Sequence, residues 1–410
     1  MTQTTSHLMR AYARQPLSFA RGSGARLWDD EGTEYLDAIA GVAVTSLGHA
    51  HPEIASVIAE QAHTLLHTSN VFRIDWQEQL GERLCTLTDM QRAFFCNSGA
   101  EANEAALKLA RLHGHRKQVV QPQILVMENA FHGRTIATLT ATHNPAKQQG
   151  FEPLLPGFIR VPYDDIEAVH RVAEQVPNIV AVLVEPVQGE GGIRVAAVEY
   201  LQELRALCDR QGWLLMLDEI QCGMGRTGAW FTHQLAGIIP DVMTVAKALG
   251  NGMPIGACLA RGEAADLFSP GQHGSTFGGN PLACRVGCMV LDIMARDELP
   301  KRAALLGARL LAGLRKALNG NPDVIAIRGL GLMVGIEMNR PCKELVGRAL
   351  SERRLLITVT RDTTIRLLPP LICDELQIDD IVLRVARLLS ETAVDGAVLT
   401  DSARQQGLAS

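Results

Sequence analysis

The sequence predicts an α/β protein built on a mostly parallel β-sheet that helices cover on both faces. Short apolar runs at 124–127, 179–186 and 213–217 alternate with longer stretches in which apolar residues recur at helical spacing. Strands that are apolar throughout are buried on both faces, which is typical of parallel sheets with helical crossovers. Because 410 residues exceed what one hydrophobic core usually holds, a second, smaller domain is also expected.

Three segments are predicted along the chain. Residues 1–60 are an N-terminal segment that packs with the small domain, and within it the alternation at 26–38 around Asp30-Glu31-Gly32 predicts a β-hairpin. Residues 61–290 are the large domain. Residues 291–410 form the small α/β domain, in which the sequence IRGLGLMVGIEM at 327–338 is interpreted as one strand after a long helix.

Composition argues against several classes of partner and location. Hydrophobic residues make up 47% of the chain, charged residues 20%, and the net charge is −5, so no basic field for nucleic acid is expected. No apolar run approaches the ~20 residues that a membrane span needs, and the first ten residues lack an apolar signal core. The nine cysteines are scattered without a CxxC pair, which favours reduced thiols and a cytoplasmic protein.

An aspartate at the end of a buried strand and a lysine in a glycine-rich segment form the first candidate site. Asp218 ends the run LLMLD, and Lys247 follows in AKALGNGMPIGA. An enzyme that uses pyridoxal 5'-phosphate (PLP) needs both groups, because the lysine amine bonds to the cofactor's aldehyde and the carboxylate keeps the pyridine nitrogen protonated. Alone, each residue is more often a solvated charge or a helix cap, but their combination favours a PLP site.

The segment NSGAEANEAALKLAR at 97–111 predicts an anion site at the start of a helix. Backbone amides around Ser98, Gly99 and Ala100 would face the anion, with the positive end of the helix dipole behind them. The alternative is an ordinary helix cap with acidic residues in the first turn. Thr276, which lies between glycines in GSTFGGNP, is a second candidate anchor for a phosphate.

The chain resembles the fold-type I, class III aminotransferases over about residues 10–395. The motifs that carry the resemblance are, in order, GHAHP, NSGAEANE, AFHGRT, EPVQGEGG, DEIQCGMGRTG, AKALGNG and GSTFGGNP. Within this family the set is most similar to that of the acetylornithine aminotransferases. The resemblance implies a PLP enzyme whose large domain contains a mostly parallel sheet of the seven-stranded type. It also implies a homodimer whose active sites combine residues of both subunits.

The resemblance further implies roles for single residues. The positions that match the family's cofactor site are Ser98, Gly99, Ala100, Phe131, Asp218, Gln221, Lys247 and Thr276. Lys247 would bond to PLP, Asp218 would pair with the pyridine nitrogen, Gln221 would lie near the phenolic oxygen and Phe131 would stack on the ring. The family often has Thr where this chain has Ala100, so one side-chain contact to the phosphate is expected to be absent. Thr276 would reach the phosphate bound by the neighbouring subunit.

Two arginines are candidates for substrate binding. Arg134 in AFHGRT and Arg366 in IRLLPP each offer a planar guanidinium that can bind a carboxylate through two parallel hydrogen bonds. Taken without the family, each would be interpreted as half of an ordinary salt bridge. Glutamate carries a carboxylate at each end, so Arg366 is expected to bind the α-carboxylate and Arg134 the distal one. Glu190 matches the family residue that covers Arg366 when an ω-amino donor is bound.

The donor is predicted from Val42. Ornithine aminotransferases carry a Tyr six residues before the first Gly of the GHxHP motif, which is Gly48 here, and that Tyr contacts the free α-amino group. An apolar residue cannot hydrogen-bond a cationic amine, so Val42 favours N2-acetylornithine, with 2-oxoglutarate as acceptor and glutamate as product. The alternatives are succinylornithine, ornithine or 4-aminobutyrate aminotransferase, a PLP racemase of the same fold, and a catalytically silent scaffold.

Other residues that attract attention are given structural roles. His49 and His51 lack a third ligand at suitable spacing, so no metal site is predicted. The glycines of GLGLMVG at 329–335 lie within a predicted strand and do not open a helix, which argues against a dinucleotide loop. His132 is expected to shape the pocket, because Lys247 itself can carry the proton between the reacting carbons.

Overall fold

A computed structural model describes residues 7–406, with side chains described through residue 390. Its strands are β1 (Phe19–Ser23), β2 (Arg26–Asp29), β3 (Glu34–Asp37), β4 (Arg92–Cys96), β5 (Gln123–Met127), β6 (Phe158–Val161), β7 (Ile179–Val184), β8 (Val187–Gln188), β9 (Arg194–Val195), β10 (Leu214–Asp218), β11 (Val242–Val245), β12 (Gly256–Ala260), β13 (Val324–Leu330), β14 (Met333–Met338), β15 (Leu355–Leu356), β16 (Thr358–Thr360) and β17 (Thr364–Leu367).

The helices are α1 (Ala40–Ala43), α2 (Pro52–Thr64), α3 (Asp75–Thr88), α4 (Gly99–Arg116), α5 (Ile136–Ala141), α6 (Pro145–Gln148), α7 (Ile166–Gln175), α8 (Val198–Gln211), α9 (Thr232–Leu235), α10 (Pro281–Arg296), α11 (Leu299–Ala317), α12 (Glu344–Arg353) and α13 (Glu375–Gln406). Two short 3₁₀ helices lie at Lys247–Leu249 and Gly262–Asp266. Within the described part of the chain, no helix is both long and apolar enough to cross a membrane.

The largest sheet has seven strands in the order β4-β12-β11-β10-β7-β5-β6. All neighbouring pairs are parallel except the two that β12 makes with β11 and β4. The predicted mostly parallel sheet is therefore confirmed. The three apolar runs of the sequence become β5, β7 and β10, and every residue of β7 and β10 is buried.

Two cores explain why these strands are apolar at consecutive positions. Along β5, Ile124 and Val126 pack in a core with residues of α4, whereas Leu125 and Met127 pack in a core with residues of α7 and α8. Successive side chains of a strand point to opposite faces, so a sheet with helices on both faces needs apolar residues at every position. The sheet therefore lies between two helical layers, as the sequence predicts.

The C-terminal part of the chain contains its own antiparallel sheet. Its four strands follow the order β13-β14-β17-β16, and α11 packs against β13 and α13. A further sheet has the order β1-β2-β3-β15, in which β3 pairs in parallel with β15, so N-terminal and C-terminal strands share one sheet. The domain bounds at residues 60 and 290 stay a prediction, and residues 1–6 and 407–410 of the predicted domains lie outside the described residues.

Two predictions about hairpins have opposite outcomes. The hairpin at 26–38 is confirmed, because β2 and β3 pair antiparallel across a turn that contains Gly32 at φ +81. The single strand predicted at 327–338 is wrong, since β13 and β14 form an antiparallel hairpin that reverses at Gly331, where φ is +55. A Cβ at Gly331 would lie 2.5 Å from the carbonyl oxygen of Arg226, so only glycine fits this turn.

Candidate active site

The carboxyl ends of the parallel strands surround a cavity of about 370 Å³. Residues just after β4, β5, β7, β10 and β11 line it, which is the edge at which open α/β sheets bind ligands. The cavity is in the size range of small-molecule sites. The predicted residues that line it are Ser98, Gly99, Ala100, Phe131, Arg134, Asp218, Gln221 and Lys247.

Lys247 follows β11 in a backbone conformation that side-chain-bearing residues seldom adopt, with φ at +44. Burial lowers the pKa of its amine to about 8, and the charge of Arg366 acts in the same direction, while Asp218 and Glu190 oppose them. Within the described part of the chain, no hydrogen bond or ion pair holds Nζ. The amine is thus accessible in its neutral, nucleophilic form near physiological pH.

Asp218 ends β10, and three donors fix its carboxylate. Its Oδ2 accepts a hydrogen bond from Asn103 Nδ2 at 2.8 Å and lies 2.8 Å from His132 Nδ1, and its Oδ1 accepts from the Ile220 amide at 3.1 Å. Thr244 Oγ1 in turn donates to Asn103 Oδ1 at 2.8 Å, which orients the amide. Asp218 is only 4% exposed, so this carboxylate is both buried and held in one orientation.

His132 and Glu185 extend the network around Asp218. Burial alone would lower the pKa of His132, but the hydrogen bond and charge of Asp218 and the charge of Glu185 raise it. Its Nε2 is buried with no partner in the structure. Burial raises the pKa of Glu185 to about 7, although the charge of His132 and the hydrogen bonds from the amides of Phe131 and Gly189 act in the opposite direction.

The start of α4 faces the cavity, as predicted for an anion site. Ser98 is the N-cap residue, and its Oγ accepts a hydrogen bond from the Glu101 amide at 3.3 Å. The Ser98 hydroxyl therefore also caps the helix in the ordinary way, which was the alternative interpretation. A Cβ at Gly99 would lie 2.8 Å from the Ile220 side chain, so glycine allows the start of the helix to approach the segment after Asp218.

Phe131 forms one wall of the cavity and Arg134 lies beside it. The Phe131 amide donates to Glu185 Oε1 at 2.9 Å, which fixes the backbone of this wall. The guanidinium carbon of Arg134 lies 5.4 Å from the centroid of the Phe131 ring. Arg134 is exposed, and within the described residues it makes no ion pair, so its charge is available to a ligand.

Arg366 and Glu190 are in direct contact. Arg366 lies on β17 and is 4% exposed, and its Nη1 is 2.6 Å from Glu190 Oε1 and 3.3 Å from Gln221 Oε1. Its Nε donates to Thr358 Oγ1 at 3.1 Å. Burial alone would raise the pKa of Glu190, but the charge and hydrogen bond of Arg366 lower it. The buried guanidinium is thus covered by a carboxylate that a substrate carboxylate could replace.

Four predicted residues do not line the cavity. Arg366 and Glu190 lie behind Gln221, which does line it. Thr276 is exposed, and Val42 packs in the cluster that contains Cys222 and Leu368, with φ at +67, while Val44 lines the cavity. Sequence reasoning missed Asn103 and Glu185, which the structure brings to Asp218 and Phe131. The available signals were a polar residue among the alanines of α4 and a second acidic residue in EPVQGEGG.

The residues around the cavity fit a phosphorylated pyridine aldehyde. The helix start suits a phosphate, the buried carboxylate of Asp218 suits a protonated ring nitrogen, and the amine of Lys247 suits an aldehyde. A Cβ at Gly133 would lie 2.9 Å from Ala100 Cβ, so glycine keeps this wall open. Within the described residues, no group of three His, Cys, Asp or Glu side chains could hold a metal ion.

Comparisons with known proteins agree with this geometry. The family model for aminotransferase class-III matches residues 9–389. The acetylornithine aminotransferase of Nitrosomonas europaea is 54% identical over 94% of this chain and 98% of its own length, and acetylornithine aminotransferase 1 of Bordetella pertussis is 50% identical with the same coverage.

Solved structures show the same fold. The ornithine aminotransferase of Toxoplasma gondii has a TM-score of 0.91 at 34% identity, covering 95% of this chain and 94% of that one. The acetylornithine aminotransferase of Elizabethkingia anophelis has a TM-score of 0.84 at 34% identity, covering 94% and 96%. With the family match over nearly the whole length and the lysine and aspartate in one cavity, the chain belongs to the class-III aminotransferases.

Proposed function

We propose that the protein transfers the ω-amino group of N2-acetylornithine to 2-oxoglutarate, giving N-acetylglutamate 5-semialdehyde and glutamate, with PLP as cofactor. The observation that carries the proposal is that Lys247 and Asp218 line one cavity, while Arg366, covered by Glu190, contacts Gln221 in the wall of that cavity. Identity of 50% or more to two acetylornithine aminotransferases supports the choice of donor.

PLP, when bound, supplies an aldehyde that takes up the amino group and a ring that withdraws electrons from the reacting carbon. Lys247 supplies the amine that attaches the cofactor, and because its pKa is about 8 it can both release and accept a proton near neutral pH. Asp218, held by Asn103 and His132, would pair with the ring nitrogen of the cofactor and favour its protonated form. Phe131 would contact the ring of the cofactor, and the start of α4 would hold its phosphate.

The contact between Arg366 and Glu190 explains how one cavity could accept two unlike substrates. An ω-amino donor has no carboxylate beside its reacting amine, and Glu190 then neutralises Arg366 across the observed 2.6 Å contact. Glutamate and 2-oxoglutarate bring a carboxylate to this position, which replaces Glu190 on the guanidinium. Arg134 binds the carboxylate at the far end of either substrate.

Ornithine is the second candidate donor, since the solved structure with a TM-score of 0.91 is an ornithine aminotransferase. Overall backbone likeness reflects the shared fold, whereas donor choice depends on a few side chains. Val42 does not line the cavity, so the choice of the acylated donor is supported by the identity to the two acetylornithine aminotransferases.

We also propose a cytoplasmic homodimer with composite sites. Asn70 Nδ2 donates to the carbonyl oxygens of Ser275 and Gly278, both at 2.9 Å, and so joins two segments of the surface. These segments expose the large apolar side chains of Leu65, Leu66, Val71, Phe72 and Phe277. Monomers seldom expose so many neighbouring apolar side chains, which supports a partner subunit at this face and a role for Thr276 in its site.

The donor is tested by single-turnover half-reactions of the PLP-loaded protein, followed at the cofactor's absorbance. N2-Acetylornithine should change the spectrum faster than free ornithine or 4-aminobutyrate at equal concentrations, because its acylated α-nitrogen carries no charge that must be desolvated in the cavity. A faster reaction with free ornithine would assign the protein to that activity. A spectrum that no amino donor changes would favour the catalytically silent scaffold.

A further inference from the structure

Thr276 lies in a loop, residues 267–280, that joins the second 3₁₀ helix to α10. Its side chain is exposed and forms no hydrogen bond with the residues that the structure describes. The loop alone therefore sets the position of its hydroxyl. Asn70 anchors the loop at the carbonyl oxygens of Ser275 and Gly278, on either side of Thr276.

Lys108 on α4 provides a second anchor for the same loop. Its Nζ donates to the Gln272 carbonyl oxygen at 2.8 Å and lies 3.1 Å from His273 Nδ1. A lysine ammonium has three donors and no acceptor, so Nδ1 accepts this hydrogen bond. The imidazole of His273 is therefore neutral and carries its proton on Nε2. Protonation of Nδ1 would remove the acceptor and end the contact.

The ring of His273 also packs between two phenylalanine rings. Its centroid lies 4.7 Å from that of Phe94 and 5.2 Å from that of Phe268, with interplanar angles of 37° and 29°. Phe94 lies on β4, and β4 leads through Ser98 into α4, which carries Lys108. His273 thus fastens the loop that bears Thr276 to the two elements that form the candidate phosphate site of its own subunit.

The charges around His273 favour its neutral form. Burial and the positive charge of Lys108 lower the pKa of His273, while the charges of Glu104 and Glu101 oppose them. The other charged groups that line the cavity beside His273 are Arg73, Glu78, Glu82 and Arg92. Protonation would place a second positive charge close to Lys108 Nζ, so the contact should be lost only below the ordinary histidine pKa of about 6.5.

We propose that His273 is a positioning residue for Thr276 and, through Thr276, for the cofactor phosphate bound by the partner subunit. This role rests on the proposed homodimer with composite sites. Ala100, at the start of α4, offers no hydroxyl to a phosphate, so a hydroxyl that Thr276 supplies has more effect on cofactor retention. A loop released from Lys108 lets Thr276 adopt more positions, and its hydroxyl then contacts the phosphate less often.

The test is a double-mutant cycle on the rate at which PLP leaves the holoenzyme, followed at the cofactor's absorbance during dialysis. His273→Ala should speed the release by roughly fivefold, as expected for the loss of one hydrogen bond. In a Thr276→Ala background the same substitution should have no further effect, because the residue that His273 positions is absent. His115→Ala changes an exposed histidine in the last turn of α4 and is the matched control, with no effect expected in either background.

His273→Asn tests the neutral form of the ring. The asparagine amide oxygen can accept from Lys108 but does not titrate. Wild type and His273→Asn should therefore release PLP at similar rates at pH 8, and the wild type should lose PLP faster than the variant below about pH 6. The same pH dependence in both proteins would overturn the positioning role of the neutral imidazole.

The outcomes of the cycle separate this role from the composite site on which it rests. Faster release from Thr276→Ala but not from His273→Ala would overturn the role of His273 and leave the composite site intact. Additive effects of the two substitutions would also overturn it, because His273 would then act without Thr276. Unchanged release from Thr276→Ala would refute the composite site and the role of His273 with it. The mass in solution and the melting temperature of each variant establish that it is a folded dimer.

Discussion

At the scale of single residues, buried charges set the chemistry of the site. Burial lowers the pKa of the Lys247 amine to about 8, and the positive charge of Arg366 contributes to this decrease. Only the neutral amine attacks an aldehyde, so a lowered pKa increases the reactive fraction near neutral pH. Arg366 therefore acts on Lys247 through its charge as well as on a substrate carboxylate.

This coupling predicts a pH dependence. The rate at which apo-protein attaches PLP should rise with pH and level off above a midpoint near 8, because the neutral amine of Lys247 is the reactive form. Arg366→Leu should move the midpoint to higher pH, since removing the positive charge favours protonated Lys247. Absorbance of the bound cofactor measures both rates. A midpoint near the ordinary lysine pKa of about 10.4 would contradict the lowered pKa of Lys247.

The second residue-scale prediction concerns Glu190 and Arg366. Glu190→Ala should slow the half-reaction with N2-acetylornithine relative to that with glutamate, and Arg366→Ala should do the opposite, each by about tenfold. Thr358→Val is the matched control, because it removes an uncharged hydrogen-bond partner of Arg366 and leaves the charges unchanged. Single-turnover rates separate these effects from product release. Equal slowing of both half-reactions would show that the contact between Glu190 and Arg366 has only a structural role.

The sequence indicated part of this site and could not indicate the rest. Asp218 was predicted because it ends a recognisable apolar strand and Lys247 because it follows in a glycine-rich segment, and both residues line the cavity. Asn103 and Glu185 were missed, because a buried polar residue in a helix or after a strand has no distinctive local pattern. Their partners, Asp218 and Phe131, are far along the chain, so only the folded structure brings them together.

At the scale of secondary structure elements, the parallel sheet gathers the site. Because β4, β5, β7, β10 and β11 end at the same edge, the residues after them meet although they are spread over much of the chain. Continuous apolar runs predicted three of these strands, β5, β7 and β10, whereas β4 and β11 were not predicted. The apolar pattern also could not distinguish one strand from a hairpin at 327–338, because it continues through the turn at Gly331.

That turn gives a stability prediction. Gly331→Ala should destabilise the protein by roughly 2 to 3 kcal/mol, since the backbone is left-handed and the added Cβ meets the Arg226 carbonyl oxygen. Gly320→Ala is the control, because Gly320 also has positive φ but has no atom within 4 Å of the added Cβ. Its cost should be only about 1 kcal/mol. Thermal unfolding of both holo-variants measures the difference, and equal melting temperatures would contradict the steric account.

At the scale of the whole molecule, the exposed face around Thr276 matters most. The large apolar side chains beside it, including Phe72 at 68% and Phe277 at 62% exposure, are accounted for if a second subunit covers them. The composite site was predicted only from the family resemblance. The spacing of residues along one chain does not show which residues of a second subunit contact its surface.

Mixing of subunits tests this assembly. Thr276→Ala should weaken PLP retention, and heterodimers with Lys247→Ala subunits should regain one intact site that combines Lys247 of one chain with Thr276 of the other. Cofactor absorbance after dialysis of verified heterodimers measures the recovery. If no recovery occurs, Thr276 contacts the site of its own subunit or no site at all.

The most direct measurement of the central claim is glutamate formation from N2-acetylornithine and 2-oxoglutarate by wild-type protein and by Lys247→Ala. The wild type should form glutamate in step with the semialdehyde. The variant should keep noncovalent PLP through the start of α4 and Asp218, yet lose turnover by several orders of magnitude, because no other amine lines the cavity near these groups in the described structure. Turnover by Lys247→Ala within tenfold of the wild type would contradict the account.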